Sequence, residues 1–209
     1  MSARDRILGR VRQGLSGSGT VSLPDRGRPR GPHVTWPSQD RVQRFMACSL
    51  RMGTTLQRAG TLEEVPSLVA RYLGSHGLPL CGVAWPSLRN MEWVGAGLAL
   101  EYREAHAGDA VGITSAFCAL EETGTLLLVS GPETPASVSL LPETHIALLD
   151  AGRLRPHMED AFDQVMESFS TWPRALNFIS GPSRTADIEQ TIVIGAHGPA
   201  RVHVVLYGQ

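Results

Sequence analysis

The 209-residue sequence has no lysine, so all 19 of its basic side chains are arginines. That absence excludes a block of chemistry, because a Schiff-base lysine, a pyridoxal-phosphate anchor and a complete Walker A loop each need a lysine side chain. Cysteine is almost as scarce. Cys48, Cys81 and Cys118 lie far apart and form no Cys-x-x-Cys pair, so local spacing builds no cradle for zinc or an iron–sulfur cluster, and no metal site is read. The apolar neighbours in Leu80–Ala84 and Ala116–Leu120 predict buried, reduced thiols in a cytosolic protein rather than nucleophiles.

A charge imbalance is missing too. The formal net charge is -1 with 42% hydrophobic residues, which points neither to a nucleic-acid footprint nor to an acidic disordered chain. No apolar run reaches membrane-spanning length, and residues 1–15 intersperse arginines with isolated aliphatics instead of forming a signal-peptide core. The cytoplasm is therefore the expected compartment.

Ile7, Leu8, Val11 and Leu15 recur at helical spacing and predict a short basic amphipathic helix. Residues 16–38 are rich in Gly, Ser, Pro and Arg and read as a flexible linker or surface strap. Its arginines, Arg26, Arg28 and Arg30, read as solvated. The expected organisation is thus an appendage over 1–38 and an α/β domain over 39–209.

Within the domain, Val42, Phe45, Met46 and Leu50 mark a helix over 39–58, closed by Gly60. Thr61–Glu64 has capping-box spacing and opens a second helix through Leu68, Val69, Tyr72 and Leu73, with Pro66 near its start. Residues 80–85 read as a buried strand. From there the pattern predicts strands over 111–114, 125–129, 145–149 and 175–179, a helix over 115–123 stopped at Gly124, and an amphipathic helix over 158–169. Apolar strands separated by helices imply a mostly parallel sheet covered on both faces. The β-branched run 191–194 and the strand 202–207 read as a terminal hairpin whose loop is 195–200.

Three motifs stand outside this core pattern. Glu121-Glu-Thr-Gly-Thr125 lies where a helix is expected to stop, with Gly124 supplying a positive φ and Thr123 and Thr125 offering hydroxyls. It reads as a helix end with solvated glutamates or as a ligand loop. Leu140-Leu-Pro-Glu-Thr-His145 sets His145 at the head of a strand, where a histidine is a hydrogen-bonded structural group or a functional one. The third is Gly181-Pro-Ser-Arg-Thr-Ala-Asp-Ile-Glu189, followed by His197-Gly-Pro199. Ser183 or Thr185 would cap a short helical turn with Asp187 and Glu189 in its first residues, or Arg184 and the free N–H groups after Gly181 would hold a carboxylate or phosphate. Gly198 permits close approach beside His197. The candidate catalytic pair is Glu122 and His197. The candidate ligand-binding residues are Thr123, Gly124, Thr125, His145, Ser183, Arg184, Thr185, Asp187, Glu189 and Gly198.

Taken in order, these motifs resemble the LUD family, in its lactate-utilization (LutC-like) branch, from about Arg41 to Tyr207, and the opening Arg4-Asp-Arg-Ile-Leu8 is similar to the start of that branch. The resemblance implies a three-layer α/β/α fold of the NagB/RpiA/CoA-transferase type. It also implies a bacterial accessory component in the oxidation of L-lactate to pyruvate, binding a small anionic metabolite beside companion proteins that carry iron–sulfur clusters. The alternative from the same fold group is a free-standing transferase- or isomerase-like enzyme, or a binder of a sugar phosphate or CoA ester.

Overall fold

A computed structural model describes residues 3–15, 37, 40–186, 192–195 and 197–208. The chain divides into two units, Met1–His33 and Val34–Gln209. In the first, helix α1 spans Ala3–Leu15 with Asp5 in its opening turn and Arg12 in its last, both favourable to the helix dipole. Ile7, Leu8 and Val11 are exposed along it. The expected linker lies outside the described residues for almost all its length.

Helix α2, Arg41–Arg51, buries Phe45, Cys48 and Ser49. It stops well short of the expected end, because Gly53 adopts φ +88 and closes the helix in a Schellman motif. The N–H of Gly53 bonds Leu50 O and that of Thr54 bonds Ser49 O. The β-branched pair Thr54-Thr55 then enters strand β1, Thr55–Arg58, which the helical reading had absorbed. Helix α3, Val65–Ser75, follows a 3-10 turn and carries Pro66 in its first turn, where a missing N–H costs nothing.

Seven further strands complete the two main sheets' early part and the central layer. These are β2 (Cys81–Ala84), β3 (Ala99–Tyr102), β4 (Val111–Ser115), β5 (Cys118–Leu120), β6 (Thr125–Val129), then β7 (Thr144–Asp150) after the short helix α4 (Ser137–Leu140), and β8 (Leu154–Arg155). Helix α5 (Met158–Ser168), β9 (Leu176–Ile179), β10 (Arg184–Ala186), β11 (Ile192–Ile194) and β12 (Arg201–Tyr207) follow. The central sheet has six strands in the order β1-β12-β7-β4-β2-β3, and every adjacent pair is parallel. Its register places His203, Ile146 and Ile113 on one face and His145 and Gly112 on the other. Tyr72 of α3 stacks on His203 with ring centroids 3.8 Å apart. On the opposite face a Cβ at Gly112 would collide with the Val138 carbonyl of α4. Helices therefore cover both faces, the α/β arrangement expected.

Three sequence expectations fail here. Residues 115–123 form no helix: β5 pairs antiparallel with β6 in a second, four-stranded sheet ordered β8-β5-β6-β9. The cause is a period of two. Cys118 and Leu120 turn to a small core with Ala161 and Val165 of α5, while Ala119 turns to the main core. The terminal hairpin is also absent. β12 inserts between β1 and β7 in the parallel sheet, and β11 pairs back on β10. Residues 184–186 are consequently strand, not the capped helical turn, because the β-branched run in β11 supplies a ladder partner.

Candidate functional site

The parallel sheet has two edges, and both carry candidates. At the carboxyl edge the chain leaves β2 toward β3 but leaves β4 toward β7 on the other side. Where neighbouring connections diverge like this a crevice opens outside the strand ends, the usual ligand position in open α/β sheets. A cleft of about 330 Å³ occupies this position, reached by Trp85 after β2, Ser115 at the end of β4, Asp150 at the end of β7 and Tyr207 at the end of β12.

Its polar groups are held by local structure. Asp150 Oδ1 accepts the N–H of Gly152 at 2.8 Å, capping the 3-10 turn Ala151–Arg153. That turn brings Arg153 to the cleft, and Arg153 Nη1 donates to Phe117 O at 3.2 Å. Tyr207 is the register partner of Asp150. Burial raises the Tyr207 pKa, the Asp150 charge adds to the rise and Arg153 opposes it, so the phenol is a neutral hydrogen-bond donor at neutral pH. Along the wall, Trp85 Nε1 donates to Pro135 O at 2.9 Å and the Ser87 N–H reaches Glu133 O at 3.3 Å, pinning the 131–135 loop beside the strand ends. Ser130 lines the cleft, and its Oγ accepts the Ala175 N–H at 2.9 Å. Sequence reading missed this site, since its residues are scattered over four strand ends. The one local signal is a charged or polar residue closing each apolar strand, as Asp150 closes β7.

The motifs nominated from sequence meet elsewhere, in one continuous chain of contacts. Gly124 (φ +70) sits against the backbone of Cys48 and Ser49, where any Cβ would collide. Ser49 Oγ donates to Gly124 O at 2.9 Å. Thr123 Oγ1 donates to Thr125 Oγ1 at 2.7 Å, and Thr125 Oγ1 lies 2.7 Å from Ser180 Oγ. Gly181 (φ +78) presses on Met52 O, and Arg184 Nη2 donates to the same carbonyl at 3.2 Å while covering Gly53. The Ser183 N–H reaches Pro199 O at 2.8 Å, and its carbonyl accepts the Gly195 N–H at 2.9 Å. The TGT, Gly-Pro-Ser-Arg and His-Gly-Pro segments thus join around the end of α2 and the amino edge of the sheet. His197 is exposed there beside a depression of about 520 Å³ that also touches Asp109, Leu140 and Glu143. Gly198 borders the same depression, and a Cβ on it would stand 3.3 Å from Ser183 Cβ. The side chain of Thr185, and Asp187 and Glu189 altogether, lie outside the described residues.

The two glutamates before the TGT turn behave differently from each other. Glu121, solvated in one of the two sequence readings, is 1% exposed and held by Arg41 Nε at 2.6 Å and Arg44 Nη2 at 2.8 Å. Glu122 Oε2 lies 2.8 Å from His157 Nδ1, and its Oε1 accepts the Met158 N–H at 3.3 Å, so it braces the start of α5. Glu122 is not among the residues around the His197 depression. His145 is fully buried, with Nε2 2.8 Å from Thr114 Oγ1, and burial pushes its pKa down to about 3. Cys48 and Cys118 are buried as expected, but Cys81 is exposed because β2 carries it at an open strand end. Among the described residues no three His, Cys, Asp or Glu side chains gather as a metal site, and no helix is long and apolar enough to cross a membrane.

Residues 88–207 match the LUD domain, over more than half of the chain. The chain belongs to the LUD domain family. Similar proteins include lactate utilization protein C of Exiguobacterium sp., 28% identical over 218 residues covering 97% of this chain and 95% of that one. Lactate utilization protein C of Bacillus subtilis is 40% identical over 99 residues, 46% of this chain and 41% of the relative. The corresponding protein of Halalkalibacterium halodurans is 44% identical over 94 residues, 44% of this chain and 41% of the relative. These last two matches span about two fifths of those relatives. A crystal structure of a DUF162 family protein from Deinococcus radiodurans shares the fold, with a TM-score of 0.66 at 22% identity, covering 83% of this chain and all of that one.

Proposed function

We propose that this LUD protein is a cytoplasmic, non-iron-sulfur component of an L-lactate oxidation system, and that it binds a small carboxylate in the carboxyl-edge cleft. The observation that carries the binding part is that Arg153, Asp150 and Tyr207 line one cleft at the divergence of β2 and β4. A guanidinium that already spends one N–H on Phe117 O is oriented, and its remaining donors match a carboxylate. The pathway part is supported by similarity to proteins named lactate utilization protein C. The scattered cysteines agree with electron storage on companion iron–sulfur proteins.

Two experiments test the two parts separately. In a lactate-grown bacterium, tagged protein should bring down iron–sulfur proteins, and deletion should slow growth on L-lactate. Normal growth with no such partner would remove the pathway assignment. For the cleft, a thermal-shift panel of short carboxylates, sugar phosphates and CoA esters should show protection by carboxylates, worth roughly 2.7 kcal/mol at a hundredfold excess over Kd. Protection only by phosphates or CoA esters would instead favour a free-standing enzyme or binder.

A further inference from the structure

Positive charge is spread unevenly along the chain. Residues 1–38 hold seven arginines against two aspartates, whereas the whole chain carries a net charge of -1, so the remainder is acidic. On α1 itself Ile7, Leu8 and Val11 are 63%, 40% and 52% exposed and share one stripe. At about 3.6 residues per turn, Arg6 and Arg10 flank that stripe on one side and Arg12 on the other, while Asp5, Gly9 and Gln13 fall opposite. A helix of 13 residues is marginal in water by itself, and Gly9 and Gly14 weaken it further. It gains stability where a surface covers the stripe.

We propose that α1 is an interfacial helix that lies on anionic lipid headgroups, its aliphatic stripe dipping among them and its arginines pairing with their phosphates. Charge complementarity and the form of the stripe choose this occupant together. A guanidinium pairs with a phosphate through two parallel N–H bonds, and its aliphatic stem runs along apolar surface while the head reaches out to the charge. Arginines on both flanks of an apolar stripe therefore all reach phosphates when the helix axis lies parallel to the lipid surface. A nucleic acid would meet the arginines, but its phosphate backbone has no use for Ile7, Leu8 and Val11. A protein groove would use the stripe, yet α1 offers no aromatic side chain to anchor it in a pocket. A headgroup layer satisfies both features at once. Attachment is reversible, because a short stripe is one weak signal and the cluster of arginines is the second.

Co-sedimentation of the full chain with lipid vesicles is the test. Vesicles of phosphatidylcholine containing about 30% phosphatidylglycerol should take up the protein at least tenfold more strongly than phosphatidylcholine alone, since each basic residue near an anionic surface adds several-fold. Raising NaCl from about 50 mM to about 500 mM should reverse most of that gain by screening. Arg6→Gln with Arg10→Gln should weaken uptake about tenfold. Ile7→Ser with Val11→Ser leaves the charge unchanged and should also weaken it about tenfold, by removing apolar area from the headgroup layer. Uptake indifferent to the serine pair means a purely ionic contact and overturns the interfacial helix, as does a DNA duplex held as tightly as the anionic vesicles. Equal uptake by neutral vesicles overturns the pairing of arginines with anionic headgroups. No uptake by anionic vesicles overturns the proposal outright and leaves an acidic groove on a protein as the occupant of the stripe. The uptake ratio of the unmodified chain decides the matter even if a variant fails to fold.

Discussion

The two edges of the central sheet are built on opposite principles. At the amino edge, backbone meets backbone: Gly112 abuts Val138 O, Gly124 abuts Ser49, and Gly181 abuts Met52 O. At the carboxyl edge the strands end in Ser115, Asp150 and Tyr207 around open space. Motif glycines cluster where the chain needs room for itself, and polar side chains cluster where it leaves room for something else. A motif conspicuous in sequence can therefore mark a joint, while the site chemistry lies in single residues at strand ends.

The sharpest way to break this contrast is to fill a joint. A Cβ at Gly112 would also come within 2.8 Å of Pro142 Cγ, so Gly112→Ala should destabilise by about 3 kcal/mol in urea unfolding, the upper range for overpacking a tight interior. A near-neutral result would mean that α4 yields and that the amino edge is not rigid. Next in size is Glu121→Ala, which leaves Arg41 and Arg44 without their shared carboxylate. Buried pairs lose 3–5 kcal/mol when broken, but Arg41 is 37% exposed, so about 2 kcal/mol is expected.

Acid should act through the two histidines of the central strands. Burial pushes His145 down to about 3 and His203 down to about 4, the latter also feeling His76, from 6.5. Both are neutral in the folded state, so above pH 6.5 they cost nothing. As pH falls toward 4 the unfolded chain takes up protons that the folded chain refuses, and stability drops by about 1.4 kcal/mol per pH unit for each. Unfolding free energies at pH 7, 6 and 5 measure this, and His145→Gln should roughly halve the slope. An unchanged slope would show that His145 reaches solvent.

The smallest effect is expected at Arg184. Among the described residues it makes one exposed side-chain hydrogen bond, to Met52 O, so Arg184→Ala should cost about 0.5 kcal/mol and leave carboxylate protection in the thermal-shift panel intact. If protection vanished instead, the ligand would lie at the amino edge, and the roles of the two edges would be reversed.

Much of the layer structure was legible in the residues. The apolar runs at 111–115, 125–129 and 144–150 are strands, and the stripe of Phe162 and Val165 sits on a helix. The helix assigned to 115–123 failed because three residues of alternating burial are too short to reveal a period of two. The terminal hairpin failed because proximity in sequence favoured pairing 191–194 with 202–207, and the parallel sheet offered β12 a ladder on each side. Among the candidate residues, the structure joins Thr125, Ser183 and Gly198 into one assembly through Ser180 and Pro199, yet leaves Glu122 bracing α5.

By itself the sequence determined the family, the α/β class and the exclusion of lysine chemistry, because these depend on residue identity, order and local periodicity. Tertiary structure alone decided where the opening is. Asp150, Arg153, Ser115 and Tyr207 become neighbours only when four parallel strands end together and the connections from β2 and β4 part. No local pattern encodes such a meeting of strand ends.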